Sequence, residues 1–254
     1  MQSVLVLAWN LQLPLVQTAS AAAHAGDVLL AQLHKPEDYQ FIDICAGAGG
    51  PIPTIEQRVN SQLQAVGKQP VKFLLTDLHP HLEQWQSMAK RRENISYIAE
   101  PVDAADAKAL SEPGKKECRT FCLAFHHLHD PVASKVLRSA VEEADAFVVF
   151  ELQDRSLSSL VNVTAAIVGA SIISALFYYE DPLHLLFTYL VPIVPLVLIF
   201  DGYVSSLRTR TPAEIRNLMR AQRDLDIGDW SFSHGRRMIL PPVGYLHWFV
   251  GVKR

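Results

Sequence analysis

The sequence contains few cysteines and few charged residues. Three cysteines occur among 254 residues, and charged residues make up 19% of the chain. An odd number of cysteines without a Cys-x-x-Cys pair is untypical of a disulfide framework or a structural zinc site, so we expect a reducing compartment. The net charge of −3 disfavours a general surface for nucleic acid. Hydrophobic residues make up 49% of the chain, which excludes disorder as its main state.

The N-terminus lacks the basic residues of a secretory signal. No Lys or Arg precedes the apolar run within residues 1–25, and Asn10 and Gln12 interrupt that run. Secretory signals begin with a positively charged region. We therefore expect a helical segment over residues 1–38 that packs on the following domain, with a targeting signal as the alternative.

Two stretches in the second half of the chain contain no Asp, Glu, Lys or Arg. They are Leu157–Tyr179 and Leu183–Phe200, of 23 and 18 residues, with Glu-Asp-Pro between them. A helix needs about 20 apolar residues to span a bilayer. A hairpin would leave Arg155 and Arg208 on one side, which fits a positive-inside orientation. We predict a membrane-associated hairpin with the rest of the chain facing the cytoplasm. The alternative is a cytoplasmic protein with a buried or dimer-forming helical pair.

Strand-like and helix-like segments alternate from about residue 40 onward. The predicted strands are Phe41–Cys45, Val71–Thr76, Ile95–Ala99, Thr120–Phe125 and Ala146–Leu152, with helices over Pro80–Arg92 and Asp130–Ala144 and two more strands within Trp230–Val252. This alternation predicts an α/β fold with a doubly wound, mostly parallel sheet. The apolar hairpin then lies between strands 5 and 6. The chain divides into residues 1–38, 39–155, 156–200 and 201–254.

A glycine-rich loop follows the first predicted strand. It reads Asp-Ile-Cys-Ala-Gly-Ala-Gly-Gly-Pro from Asp43 to Pro51. Glycines let a backbone approach a ligand closely. A dinucleotide fingerprint needs a further glycine where Ile52 stands, and a P-loop needs a Gly-Lys-Ser/Thr tripeptide that this loop lacks.

Asp43, Gly47 and Gly49 resemble the first motif of the class I S-adenosylmethionine-dependent methyltransferases, in which an acidic residue near the end of strand 1 precedes alternating glycines. Cys45 stands where the family usually has its first glycine. The resemblance extends to the C-terminus apart from the apolar stretches, and Gly244–Lys253 resembles the family's last, antiparallel strand. It implies a Rossmann-like seven-stranded sheet and S-adenosylmethionine as cofactor.

The same resemblance implies roles for individual residues. Asp77 would accept hydrogen bonds from the ribose hydroxyls, Leu78 and His79 would flank the adenosine, and Asp103 would contact the adenine. The Phe125–Asp130 loop would border the methionine part and the methyl group. The implied cofactor-binding residues are Asp43, Cys45, Gly47, Gly49, Asp77, Leu78, His79, Asp103 and Phe125.

Histidines after the fourth strand are candidates for a general base. Methyl transfer from a sulfonium is an in-line displacement that depends mainly on positioning. An imidazole can also take a proton from an oxygen or nitrogen nucleophile near neutral pH. His126, His127 and His129 are therefore the candidate catalytic residues, unless they only shape the cofactor pocket. We expect no metal, because no second cluster of ligands accompanies them.

The apolar hairpin would lie near the substrate side of such a fold, which indicates a small hydrophobic or lipid-like acceptor. The chain has no Asn/Asp-Pro-Pro-Tyr motif and no Pro-Cys nucleophile, so we expect no nucleic-acid partner. Two other functions stay open at this point. One is a cofactor-binding protein that transfers no methyl group, and the other is a membrane or interaction protein that uses the fold as a scaffold.

Overall fold

The computed structural model describes residues 9–10, 12 and 17–254. Its strands are β1 Tyr39–Asp43, β2 Phe73–Leu75, β3 Ile95–Tyr97, β4 Lys116–Cys122, β5 Ala146–Glu151, β6 Trp230–Leu240 and β7 Gly244–Lys253. They form one seven-stranded sheet in the order β3-β2-β1-β4-β5-β7-β6. Strands β1 to β5 run parallel, and β7 lies antiparallel between β5 and β6. The predicted doubly wound α/β sheet is confirmed.

Helices cover both faces of the sheet. They are α1 Ala21–Gln32, α2 Ile52–Ala65, α3 Leu82–Arg91, α4 Asp130–Glu143, α5 Leu157–Phe177, α6 Pro182–Leu185, α7 Ile193–Arg208 and α8 Pro212–Arg220. One core joins α1, α2 and Trp85 of α3 to the sheet, and the other joins α4 and α8 to its opposite face. In α4, Ala133, Val136, Leu137 and Ala140 follow helical spacing and are all buried, which is why this segment forms a helix on the sheet.

Strand β4 differs from its prediction at both ends. It begins earlier than predicted and ends at Cys122 rather than at Phe125. The first half contains Glu117 and Arg119, and these charged residues interrupt the apolar pattern that would predict a buried strand. Both side chains are buried and form an ion pair at 2.7 Å. The strand ends where Leu123 adopts a left-handed backbone with a φ of 54°.

The helical insertion leaves the sheet after β5 and returns before β6, as predicted. Its second apolar stretch is not one straight helix, however. It forms α6, a π-helical turn over Leu186–Leu190 and α7, with a bend of 65° at the break. Pro192 explains the break, because proline lacks an N–H and disfavours helical backbone in the residue before it. Helix α7 packs on α5 and continues past residue 200 to Arg208.

Much of the insertion's apolar surface is exposed. The segment Leu157–Ser174 is long and apolar enough to cross a membrane, and 11% of it is buried. The bent pair of α6 and α7 passes the same test only when taken as one broken span. Ile172, Leu190 and Phe200 are exposed by 67%, 77% and 70%. The low buried fraction of Leu157–Ser174 distinguishes α5 from a core helix of similar composition, which would be mostly buried.

Part of the N-terminal segment packs on the sheet. Trp9 is 2% exposed, and Ala21, Ala22 and Ala25 of α1 are buried. Ser20 caps α1 by accepting a hydrogen bond from the backbone N–H of Ala23. Residues 1–8, 11 and 13–16 lie outside the described residues. For that part of the chain, the helical segment and its targeting alternative stay predictions.

Candidate functional site

The candidate site lies at the carboxyl edge of the parallel strands, where the strand order reverses. Strand β2 lies on one side of β1 and β4 on the other, and such a switch point opens a crevice outside the strand ends. A cavity of about 480 Å³ lies there, which we call the β1 cavity. Loops after β1, β2, β3 and β4 line it. The predicted site residues among its lining are Cys45, Gly47, Asp77, Leu78, His79, Asp103 and His127.

The glycine loop after β1 leaves part of this cavity open. Gly47 and Gly49 have φ angles of +50° and +87°, a left-handed backbone that favours glycine. A Cβ at Gly47 would meet no atom within 4 Å, whereas a Cβ at Gly49 would lie 2.6 Å from Met88 Cε. Gly47 therefore leaves room for a ligand. Gly49 does not line the β1 cavity and instead permits close packing on α3.

Asp77 links the glycine loop to the loop after β2. Its Oδ2 accepts a hydrogen bond from the Gly47 N–H at 2.8 Å, and its Oδ1 accepts one from the His79 N–H at 2.8 Å. On the other side of the loop, Trp85 Nε1 donates to the Gly47 carbonyl at 2.8 Å. Each carboxylate oxygen can accept more than one hydrogen bond. The half-buried Asp77 can therefore still bind hydroxyl groups of a ligand.

Asp43 lies beneath the glycine loop and does not line the cavity. It ends β1 opposite Leu75 of β2, so it shares the sheet edge with Asp77. Thr120 Oγ1 donates to Asp43 Oδ1 at 3.0 Å, and Asp43 Oδ2 has no hydrogen-bond partner among the described residues. Burial raises the pKa of Asp43 to about 7, although the neighbouring Thr120 hydroxyl and Cys122 thiol oppose the rise. A positively charged ligand nearby would favour the ionised carboxylate.

The thiols near the site are neutral. Burial raises the pKa of Cys45 to about 12 and the pKa of Cys122 well above its ordinary value. Both residues line the β1 cavity. Because the thiolate is the nucleophilic form of cysteine, these thiols provide neutral lining rather than a nucleophile.

The remaining predicted cofactor residues fall into two groups. Leu78, His79 and Asp103 are exposed and line the β1 cavity. Phe125 is 2% exposed, packs its ring 5.9 Å from that of Phe121 and does not line the cavity. The structure therefore places the Phe125 side chain in the core. It supports the Phe125–Asp130 loop, which we call the histidine-containing loop, from the side that faces the sheet.

The three predicted catalytic histidines have different surroundings. His126 is buried, with its Nδ1 at 2.8 Å from Glu151 Oε2 and its backbone N–H donating to Glu151 Oε1 at 3.2 Å. His127 lines the β1 cavity, and burial lowers its pKa, with smaller electrostatic contributions from the neighbouring His126 and Arg208. His129 is exposed at the N-cap of α4, away from the β1 cavity. Within the described residues, no group of three or more His, Cys, Asp or Glu side chains could hold a metal ion.

A second cavity of about 790 Å³ adjoins the first. It lies between the histidine-containing loop, the end of α7 and α8, and it shares His127 and Leu128 with the β1 cavity. Arg155, Arg208 and Arg210 line it, and we call it the arginine cavity. His127 therefore lies where the two cavities meet.

Sequence reasoning missed two residues that hold the histidine-containing loop. Glu151 ends β5 at the same sheet edge and binds His126. Arg210 donates to two backbone carbonyls of the loop at 3.1 and 2.5 Å and pairs with Asp130 at 2.8 Å. The carboxylate at the end of a predicted strand was a signal for Glu151. No local pattern connects Arg210, 80 residues away, to Asp130.

Comparisons with known proteins give matches among solved structures alone. No protein-family model matches the chain, and no curated protein matches it. OxaC, crystallised with SAH and oxaline, is 14% identical with a TM-score of 0.51, over 92% of this chain and 47% of that chain. The trans-methyltransferase CalH in complex with SAH is 15% identical with a TM-score of 0.51, over 92% and 58%. The mitomycin 7-O-methyltransferase MmcR is 10% identical with a TM-score of 0.50, over 92% and 55%.

These likenesses establish the fold. The chain has the fold of the class I S-adenosylmethionine-dependent methyltransferases, with a helical insertion between β5 and β6. The chain spans about half the length of the solved structures that it matches.

Proposed function

We propose that the chain is an S-adenosylmethionine-dependent methyltransferase whose cofactor binds in the β1 cavity. The observation that carries the proposal is the open space at Gly47, whose backbone N–H binds the carboxyl group of Asp77. The buried Asp43, with one unpartnered oxygen, ends the strand that leads into this loop. OxaC and CalH, which share the fold, were crystallised with SAH.

The charges around the β1 cavity favour a cationic adenosyl ligand over a phosphate. The part of the lining that the structure describes contains Asp77 and Asp103 but no Lys or Arg, and Asp43 lies beneath the glycine loop. Phosphate sites in proteins are instead built from cationic side chains and backbone N–H groups. S-adenosylmethionine supplies an electrophilic methyl group on a positively charged sulfur. Asp77 would bind the ribose hydroxyls, Leu78 and His79 would flank the adenosine, and Gly47 would leave room for the methionine part.

His127 is our candidate for the proton acceptor. It lies where the β1 cavity meets the arginine cavity, so one imidazole reaches both. Its lowered pKa keeps the ring neutral near pH 7, and a neutral imidazole can take a proton from an acceptor's oxygen or nitrogen. His126 is held in the interior by Glu151 and positions the loop. His129 lines only the arginine cavity, which makes it the weaker candidate.

The acceptor we propose is a small hydrophobic or lipid-like molecule, and the chain works at the cytoplasmic face of a membrane. The exposed apolar side chains of α5 and α7 support this placement, as does the position of the arginine cavity at the end of α7. Flotation with liposomes tests the placement. Recovery of the chain in the vesicle fraction is expected, whereas full recovery in the soluble phase without detergent would contradict it.

Isothermal titration with S-adenosylhomocysteine, followed by a methyl-transfer assay on lipid extracts, tests the activity. We expect one binding site per chain and at least tenfold weaker binding for Asp77→Asn, because a charge-assisted hydrogen bond contributes about 1.5–3 kcal/mol. Asp106→Asn is the matched control, since Asp106 is an exposed carboxyl outside the cavity lining.

The outcomes separate the three functions. Binding without methyl transfer to any extract component would indicate a cofactor-binding protein. Absence of binding by the folded chain would contradict the proposal and favour a scaffold.

A further inference from the structure

The arginine cavity contains more positive than negative charge. Its lining has three arginines, Arg155, Arg208 and Arg210, and two carboxylates, Asp130 and Glu214. Both carboxylates already have partners, since Arg155 pairs with Glu214 at 2.7 Å and Arg210 pairs with Asp130 at 2.8 Å. One arginine therefore stays without an anion.

That arginine is Arg208. Among the described residues, its guanidinium has no hydrogen-bond or ion-pair partner, and its side chain is exposed. Arg155 and Arg210 differ from it, because each also donates to backbone carbonyls, of Leu207 and of the histidine-containing loop respectively. These two arginines build the cavity wall, while Arg208 offers free donors inside it.

Arg208 ends helix α7, whose apolar side chains Val197, Phe200 and Leu207 are exposed by 58%, 70% and 59%. The same helix also has one exposed carboxylate, that of Asp201. The positive charge of Arg208 also acts on His127, which lines the same cavity, and helps to lower the pKa of that histidine. A molecule in this cavity thus meets Leu207 of α7, an unpaired cation and the candidate proton acceptor together. The exposed apolar side chains of α7 continue outside the cavity.

We infer that the methyl acceptor is an amphiphile with an anionic group, a carboxylate or a phosphate ester, which binds Arg208 while its apolar part lies along α7. The planar guanidinium presents parallel donors that match two oxygens of such a group. This inference rests on the proposed methyltransferase function and specifies its substrate class.

Calorimetry on protein saturated with S-adenosylhomocysteine tests the inference. The probes are decanoate, decyl phosphate, uncharged decanol, and acetate as a head group without a chain. At least one of the two anionic amphiphiles should bind about tenfold more tightly than decanol and acetate, as expected for one charge-assisted contact. The stronger of the two identifies the anionic group.

Two variants complete the test. Arg208→Gln should abolish the preference for the anion and keep the binding of S-adenosylhomocysteine. Arg220→Gln should keep both, because Arg220 is likewise an exposed arginine in the last turn of a helix but does not line the arginine cavity. Equal binding of decanol, equal binding of acetate, or an unchanged preference in Arg208→Gln would each overturn the inference. Failure of S-adenosylhomocysteine to bind would instead contradict the proposed function.

Discussion

Replacement of Asp43 by Asn tests how strongly the buried carboxyl beneath the glycine loop is perturbed. Burial raises its pKa from 3.8 to about 7. A carboxyl with a raised pKa binds more protons in the folded than in the unfolded chain between these pH values. The free energy of unfolding therefore falls as the pH rises through that window.

The size of the effect follows from the two pKa values of Asp43. At about 1.4 kcal/mol for each pH unit of difference, ionisation of Asp43 lowers the free energy of unfolding by about 4 kcal/mol at pH 8. At pH 5 the carboxyl is largely protonated in the folded chain but ionised in the unfolded chain. The raised pKa then lowers the free energy of unfolding by about 2 kcal/mol. The stability of Asp43→Asn relative to wild type should thus increase by about 2–3 kcal/mol from pH 5 to pH 8.

Urea unfolding, monitored by tryptophan fluorescence at pH 5, 6, 7 and 8, measures this difference. Any loss of packing or of the Thr120 hydrogen bond adds an offset that does not depend on pH, so the change with pH is the quantity to compare. Asp106→Asn controls for the removal of one carboxyl, since Asp106 is exposed. A stability difference for Asp43→Asn that stays constant across the four pH values would refute the burial argument.

Two further predictions concern the loops of the site. Gly47→Ala should weaken S-adenosylhomocysteine binding by tenfold or more in calorimetry, since the new Cβ enters open space. Gly49→Ala should lower the free energy of unfolding by about 1–3 kcal/mol, because its left-handed backbone disfavours a Cβ and the end of the Met88 side chain must also shift. The reverse pattern would contradict these assignments. Arg210→Gln should lower the free energy of unfolding in urea by about 2 kcal/mol through the loss of its loop contacts and reduce methyl transfer. Unchanged activity in a variant destabilised to that extent would show that methyl transfer does not depend on the contacts between Arg210 and the loop.

Local patterns in the sequence predict the strands that form the cofactor side of the fold. Strand β1, the glycine loop and Asp77 lie within one βαβ unit, where apolar runs, turn glycines and strand-end carboxylates follow each other closely. Since the carboxyl ends of parallel strands share an edge, the meeting of Asp77 with Gly47 was predictable. The contact is seen at 2.8 Å.

Local sequence patterns do not predict side-chain positions that depend on residues far away in the chain. Arg119 reads as a surface residue, yet it is buried because Glu117, Ser139 and a backbone carbonyl satisfy its guanidinium. Phe125 reads as a cavity residue, but the left-handed backbone at Leu123 turns the chain and sends the ring into the core. The arginine cavity likewise needs residues from α7 and α8, which lie far along the chain from the histidine-containing loop.

A crystal structure of the chain with S-adenosylhomocysteine gives the most direct test of the β1 cavity as the cofactor site. We expect the ligand in that cavity, with its ribose hydroxyls on Asp77 and its homocysteine part over Gly47. A ligand bound elsewhere, or a cavity closed by side chains at saturating ligand, would contradict the proposed function.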